Sequence, residues 1–197
     1  MNNTKLYGLV LCGGKSTRMG EDKGNLRYHQ LPQQEHLFHL LDQLCDRTFY
    51  SLREEQRADF PEGANLIVDA DKYRGPFNGM LSARKQHPEV AWLVVACDIP
   101  LINKEALTQL VEARDSSKYA TAFATRQSGL PEPLAAIWEP KALLQSERYL
   151  DNGDSTCPRK FLINSDIKLV FPLDDEVLLN ANSKEDYEQV LLKLGKV

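Results

Sequence analysis

Apolar runs and helical patterns alternate along the chain. The opening run, Leu6-Tyr7-Gly8-Leu9-Val10-Leu11, is apolar or small without alternation, which suits a strand covered on both faces. Across 33–47, Leu37, Phe38, Leu40, Leu41, Leu44 and Cys45 recur at the 3.6-residue period of an amphipathic helix. Segments 48–52 and 65–68 read as short strands, with the polar stretch 53–59 between them forming one or two helical turns. Gly75-Pro76 opens a helix to about residue 86, with proline in the first turn, where it removes no needed donor. The strongest strand is 91–97, which stops at Asp98. Asn103 caps a helix through 113 that carries Ala106, Leu107, Leu110 and Val111 on one face. Segments 119–125 and 134–138 are two more strands, joined by a loop over 126–133 with Gly129, Pro131 and Pro133 as punctuation. A helix over 141–150 ends at Asn152-Gly153, and 158–163 forms a further helical turn. Strands at 167–171 and 177–179 precede a last helix, which starts at Ser183 with Asp186 three residues on as a variant capping box.

This alternation is the signature of βαβ units and a largely parallel sheet. The 197 residues suit one α/β domain over 1–197, with no repeat, low-complexity tract or linker composition to divide it. Hydrophobic residues at 42% and charged ones at 26% are ordinary for a globular protein and exclude wholesale disorder. The net charge of −4 argues against a nucleic-acid binder, which needs a basic face. No apolar run reaches membrane-spanning length and no signal-peptide core opens the chain, so a cytoplasmic protein is expected. Cys12, Cys45, Cys97 and Cys157 show no CxxC pairing and read as free thiols. Cys12 and Cys97 each close an apolar strand and could meet in space, but no neighbouring ligands have the spacing of a zinc site.

The candidate chemistry starts where the first strand empties into glycine. Cys12-Gly13-Gly14 is followed by three cations, Lys15, Arg18 and Lys23, within one short loop. Glycine without a Cβ lets a ligand lie against the backbone with N–H groups aimed at it. A strand ending in such a loop is where open α/β sheets bind ligands, and the pattern points to a nucleoside triphosphate pocket. Spacing rejects two better-known motifs. A Walker A loop needs glycine where Leu9 stands, and the dinucleotide fingerprint needs it where Lys15 stands. The plain alternative is a glycine-rich turn decorated with surface charge.

Asp98 directly follows the most apolar strand and precedes Ile99-Pro100, so its carboxylate should emerge at the same sheet edge as the Gly13–Lys23 loop. It is the leading candidate ligand for Mg²⁺, which favours one or two carboxylates plus substrate phosphates and water; a turn former is the plainer reading. Asp69 stands in the same relation to the third strand, and a helix opening at Gly75 would aim its donors toward the pocket. Asn182 could touch a metal or phosphate, or simply precede the Ser183 cap. Arg159 and Lys160, in the segment 157–160, could help hold a second substrate or belong to a solvated face. The four histidines, His29, His36, His39 and His87, read as mostly surface residues.

The stretch Leu11-x-Gly13-Gly14, Arg18-Met19-Gly20, Asp22-Lys23 resembles the signature loop of the MobA-like nucleotidyltransferases. Cys97-Asp98-x-Pro100, Gly75-Pro76-Phe77-Asn78-Gly79 and Asn180-Ala181-Asn182 resemble later motifs of that family in the expected order. Phe77 and Asn78 depart from its commoner residues, and Ser51-Leu52-Arg53 stands where an Asn is usual. The resemblance implies a Rossmann-like three-layer sandwich with a mostly parallel sheet, of nucleotidyltransferase type. It implies transfer of GMP from GTP to the phosphate of molybdopterin with Mg²⁺ as cofactor. Leu11, Cys12, Gly13 and Gly14 would cradle the nucleotide by backbone, with Asp69 on its base or ribose side. Arg18 and Lys23 would neutralise the triphosphate, and Asp98 would bind both metal and nucleotide. Molybdoenzyme chaperones or a second copy of the chain could be partners. A cytidylyltransferase, another small-phosphate nucleotidyltransferase, and a non-catalytic nucleotide-binding module are the rival readings.

Overall fold

The computed structural model describes residues 4–13, 23–153 and 155–196. Among these residues seven strands, β1 (Leu6–Leu11), β2 (Arg47–Leu52), β3 (Leu66–Val68), β4 (Ala91–Ala96), β5 (Ala120–Ala124), β6 (Pro131–Trp138) and β7 (Lys168–Val170), form one sheet in the order β3-β2-β1-β4-β6-β5-β7. Strands β1 to β4 run parallel, and β6 alone runs against both its neighbours, β4 and β5. The chain builds outward from β1 through β2 to β3, then returns to lay β4 on the other side of β1. The carboxyl ends of β1 and β4 therefore flank the point where the winding reverses, the place where an open α/β sheet forms a crevice.

Among the described residues there are six α-helices, α1 (Gln33–Asp42), α2 (Pro76–Gln86), α3 (Lys104–Glu112), α4 (Pro140–Asp151), α5 (Pro158–Ile163) and α6 (Lys184–Lys193); α1 to α5 cover the two faces, and α6 packs on Tyr28 and Ala181. Alternate residues of each central strand feed opposite layers. Leu6, Val10, Leu93 and Val95 pack with Leu37, Leu41, Leu107 and Leu110 from α1 and α3. Tyr7, Leu9, Trp92 and Val94 pack with Phe77, Met80, Leu143 and Phe161 from α2, α4 and α5. This is the expected three-layer arrangement, and it explains why β1 and β4 show no polar alternation.

The caps follow the sequence. Asn103 accepts from Ala106 N–H at 2.9 Å, and the Ser183 hydroxyl accepts from Asp186 N–H while the Asp186 carboxylate accepts from Ser183 N–H. Three expected elements differ. Helix α1 stops at Asp42 rather than 47, because the chain must turn there to bring Asp46 alongside Leu6, where the two exchange N–H bonds at 2.9 Å. Residues 177–179, apolar enough to read as a strand, instead follow a 3₁₀ turn over Asp175–Leu178, wound by Asp174 accepting from Glu176 N–H. The loop read over 126–133 is shorter than expected, since β6 starts at Pro131. Among the described residues no helix is long and apolar enough to cross a membrane.

Candidate active site

Backbone bonding continues one step past the strands and draws their carboxyl tips together. Cys12 N–H donates to Ser51 O at 2.8 Å, Asp69 N–H to Leu52 O at 2.9 Å, and Cys97 N–H to Leu11 O at 3.4 Å. The tips wall a cavity of about 610 Å³, which also takes in Lys23 and the segment joining β3 to α2.

One end of this cavity is cationic. Lys23 Nζ lies 3.8 Å from Asp98 Oδ2 and donates to Asn182 Oδ1 at 2.6 Å. The Asp98 carbonyl accepts from Ala181 N–H at 2.8 Å, so the segment before α6 is tied to the tip of β4. Asp98 Oδ1 is buried and has no hydrogen-bond partner among the described residues. Burial pushes the Asp98 carboxyl above its usual range, and the Lys23 ammonium opposes that shift. Among the described residues no group of three or more His, Cys, Asp or Glu could hold a metal by itself. An ion bound at Asp98 would need ligand phosphates and water, which fits Mg²⁺. Cys12 and Cys97 do meet, Sγ to Sγ at 4.0 Å.

The other end is built around Asp69. Its Oδ1 accepts from the Ser51 hydroxyl at 2.9 Å. A Cβ on Gly13 would lie 3.0 Å from Asp69 Oδ2, and one on Gly79 would run into the Ser51 Oγ and lie 3.2 Å from Asp69 Oδ1. Two glycines from separate elements thus make the room this carboxylate occupies. Burial pushes the Asp69 carboxyl up to about 6, against the lowering effects of the Ser51 hydroxyl and the Arg53 charge. Residues 69–75 are latched onto α2. Asn78 Oδ1 accepts from Tyr73 N–H at 3.3 Å, and the Ser82 hydroxyl accepts from Ala70 N–H at 2.9 Å.

Leu11, Cys12, Gly13, Lys23, Asp69 and Asp98 all line this one cavity. Gly14 and Arg18, together with Lys15, lie outside the described residues. Asn182 precedes the Ser183 cap, where its N–H donates to Asp186, and its side chain accepts from Lys23, a partner that neither sequence reading named. Phe77 points into the core against Trp138 and Phe161, so its departure from the family pattern leaves the cavity untouched. Arg159 does not line the cavity; it pairs with Glu132 at 2.6 Å and ties α5 to β6. His29, His36 and His87 are half-buried rather than on the surface, and His29 and His36 stack with ring centroids 3.7 Å apart. Burial holds the His36 imidazole down at about 4. Ser51, Gly79 and Asn78 carry roles that sequence reasoning did not assign. The one signal for Asn78 and Gly79 was that small or polar residues stand at 78, 79 and 82 inside a helix that otherwise packs on the sheet.

Residues 8–168 match the model of the MobA-like NTP transferase domain. The chain is 36% identical over 96% of its length to a molybdenum cofactor biosynthesis bifunctional protein of Synechocystis. The chain belongs to the MobA-like family. It spans 55% of that Synechocystis relative, so the longer protein carries a further region. A molybdenum cofactor guanylyltransferase of Ectopseudomonas mendocina is 27% identical over 90% of this chain and 87% of its own length. Among solved structures, molybdopterin-guanine dinucleotide biosynthesis protein A of Archaeoglobus fulgidus superposes with a TM-score of 0.78 at 21% identity, covering 97% of this chain and all of that one. That likeness confirms the α/β nucleotidyltransferase fold of this MobA-like chain.

Proposed function

We propose that this chain is a molybdenum cofactor guanylyltransferase that moves GMP from GTP onto the terminal phosphate of molybdopterin, with Mg²⁺ as cofactor. The observation that carries the reading is the convergence of Lys23 Nζ, 3.8 Å from Asp98 Oδ2, with an unpartnered Asp98 Oδ1 at one end of a cavity whose other end holds Asp69. The names of the relatives point the same way.

In the reaction an oxygen of the acceptor phosphate forms a bond to the α-phosphorus of GTP. The bond from that phosphorus to the bridging oxygen of the β-phosphate breaks, and its electron pair leaves with pyrophosphate. A phosphate monoester has its second pKa near ~6 and is already largely a dianion at neutral pH, so no protein nucleophile or strong base is required. The protein's task is alignment and charge neutralisation. Lys23 would meet the charge that grows on the departing phosphates, held in place by Asn182. Asp98 would hold Mg²⁺, which would supply Lewis-acid stabilisation of the phosphate charge. Backbone at Leu11–Gly13 would seat the nucleoside, with Asp69 accepting hydrogen bonds from it. The lower dielectric that lifts the Asp98 carboxyl also strengthens Lys23 at this point.

The test is to incubate the protein with Mg²⁺, molybdopterin and each NTP, following pyrophosphate release and the dinucleotide product. GTP should turn over fastest, and CTP turning over faster would overturn the guanylyl assignment. Asp98→Asn should stay folded and lose about 10²–10³-fold in turnover. A variant that loses only nucleotide affinity, from a wild type without turnover, would point to a binding module.

A further inference from the structure

The reading above leaves the attacking phosphate without a counter-charge. A phosphate monoester arrives at neutral pH largely as a dianion, and it must approach the α-phosphate of a nucleotide that is itself anionic. Among the described residues three basic side chains line the cavity: Lys23, Arg53 and Arg74. Lys23 is engaged by Asp98 and Asn182, and Arg53 by the Glu55 carboxylate. Arg74 is exposed, and among the described residues its side chain has neither an ion pair nor a hydrogen bond. Its neighbours, by contrast, are held firmly. Tyr73 N–H donates to Asn78 Oδ1 at 3.3 Å, and the Tyr73 hydroxyl donates to Asp151 Oδ1 at 3.2 Å. Lys72 Nζ lies 3.8 Å from Glu147 Oε1 and 3.8 Å from Asp151 Oδ1. On the other flank Gly75, with φ 67° and ψ −157°, adopts a backbone that a side chain would strain, and there α2 begins. Residues 70–75 are thus a strap fixed to α2 and α4. It carries Arg74 at the cavity with the guanidinium left unengaged.

Position matters as much as charge. Lys23 belongs to a segment seated on the start of α1, where Gln33 N–H donates to Leu26 O at 2.8 Å and the Gln34 amide donates to Asn25 Oδ1 at 3.3 Å. Helix α1 packs on one face of the sheet, whereas α2 and α4, which hold the strap, pack on the other. Lys23 and Arg74 therefore come to the cavity from opposite layers. In displacement at phosphorus the attacking and leaving oxygens stand roughly in line, so the groups that serve them belong on opposite sides of the reacting atom. With Lys23 on the departing pyrophosphate, Arg74 stands on the side left for the acceptor.

We propose that Arg74 binds the acceptor: its guanidinium pairs with the acceptor's phosphate and brings that dianion to the nucleotide. The proposal rests on the nucleotidyl-transfer reading given above and names the residue that serves the second substrate. An arginine suits the task, since its planar fork keeps its charge and can grip two phosphate oxygens at once. The triphosphate of the nucleotide is a rival source of the same phosphate chemistry, and the measurements below separate the two.

The test compares wild type with Arg74→Met and Arg74→Lys. Pyrophosphate release is followed with molybdopterin varied at saturating GTP and Mg²⁺, and GTP affinity is measured by titration calorimetry without acceptor. Arg74→Met should raise the KM for molybdopterin about 10- to 100-fold, the range of one charge-assisted hydrogen bond, with kcat little changed. Its affinity for GTP should match that of wild type. Arg74→Lys should recover part of the loss, because it keeps the charge without the fork. Both variants change an exposed side chain and should melt with wild type. An unchanged KM for molybdopterin in the Met variant would overturn the proposal. Weaker GTP binding by that variant would place Arg74 on the triphosphate and overturn it as well. A wild type that turns over no nucleotide with molybdopterin would overturn the transfer reading itself, and this assignment with it.

Discussion

Asp69 and Asp98 occupy equivalent places, each one step beyond a parallel strand, yet their surroundings differ, and under the proposed function so does their work. Asp98 faces the Lys23 ammonium and has an oxygen left over, which suits a cation. Asp69 is bonded to Ser51 and faced by Asn78, Arg53 and Asp71, which suits a polar organic edge. Its carboxyl, ordinarily near 3.8, is pushed up to about 6, chiefly by burial. A carboxyl with a raised folded-state pKa holds a proton that the unfolded chain releases. Its contribution to stability is therefore fully present below pH 3.8 and is lost as pH rises to about 6. Asp69→Asn removes this loss and keeps an oxygen for the Ser51 hydroxyl. Urea unfolding should show the variant more stable at pH 7.5 by about 1–2 kcal/mol, after allowance for solvent screening, with little gain at pH 4. The same variant should lose most of its affinity for GTP. An equal gain at both pH values would remove burial of the charge as the cause. Function here is held against stability, a common condition of binding sites.

Helix α2 is the element on which this corner depends. Its first two turns bury Phe77 and Met80 against the sheet, while Asn78, Gly79 and Ser82 on the neighbouring stripe are buried toward the strand tips. Alanine in place of a glycine inside a helix ordinarily gains about 1 kcal/mol. At Gly79 the new methyl would press on Ser51 Oγ and stand 3.1 Å from Leu11 Cδ2. Gly79→Ala should therefore melt no higher than wild type and bind GTP about tenfold more weakly, through loss of the Ser51–Asp69 bond. A variant that melts higher with unchanged affinity would show that this crowding relaxes at no cost. The same element marks how far the sequence could be read. Strands β1 and β4 were legible because burial on both faces leaves an unbroken apolar run, and Asp69 and Asp98 because an acid directly ends such a run. Ser51 and Gly79 were not legible, since their importance lies in a shared space that only packing creates. The bond from Lys23 to Asn182 spans 159 residues of chain, and nothing in either local sequence names the other. At 177–179 the apolar content was read correctly and the backbone was not, because the Asp174 side chain bonding two residues on is enough to wind 175–178 into a turn.

At the scale of the whole molecule, the proposed function gives the sheet one end for chemistry and one for cohesion. The four parallel strand tips carry a cavity, glycines and unsatisfied polar atoms. The opposite end is closed by the pair of Arg114 and Glu139, with Nε to Oε1 at 2.7 Å and Nη2 to Oε2 at 3.0 Å, while Nη1 donates to the Thr4 carbonyl at 3.0 Å. Because β6 runs antiparallel, its carboxyl end lies beside the amino end of β4, where Trp92 registers with Trp138. One guanidinium therefore joins the start of β1, the exit from α3 and the end of β6. Glu139 is only 2% exposed, so removing its partner leaves a charge with almost no access to water. Arg114→Ala should cost about 3–5 kcal/mol, and a chain of this size should melt roughly 6–20 °C lower. Replacing both partners, as Arg114→Met with Glu139→Gln, should recover much of that loss, because what destabilises is the stranded carboxylate rather than the missing bridge. Neither change reaches the strand tips. At 25 °C the folded fraction of each variant should retain the wild-type affinity for GTP, measured by titration calorimetry beside the melting curves. Affinity falling in step with stability would mean that the two ends of the sheet are mechanically coupled through β1 and β4, and the division of labour proposed for them would be wrong.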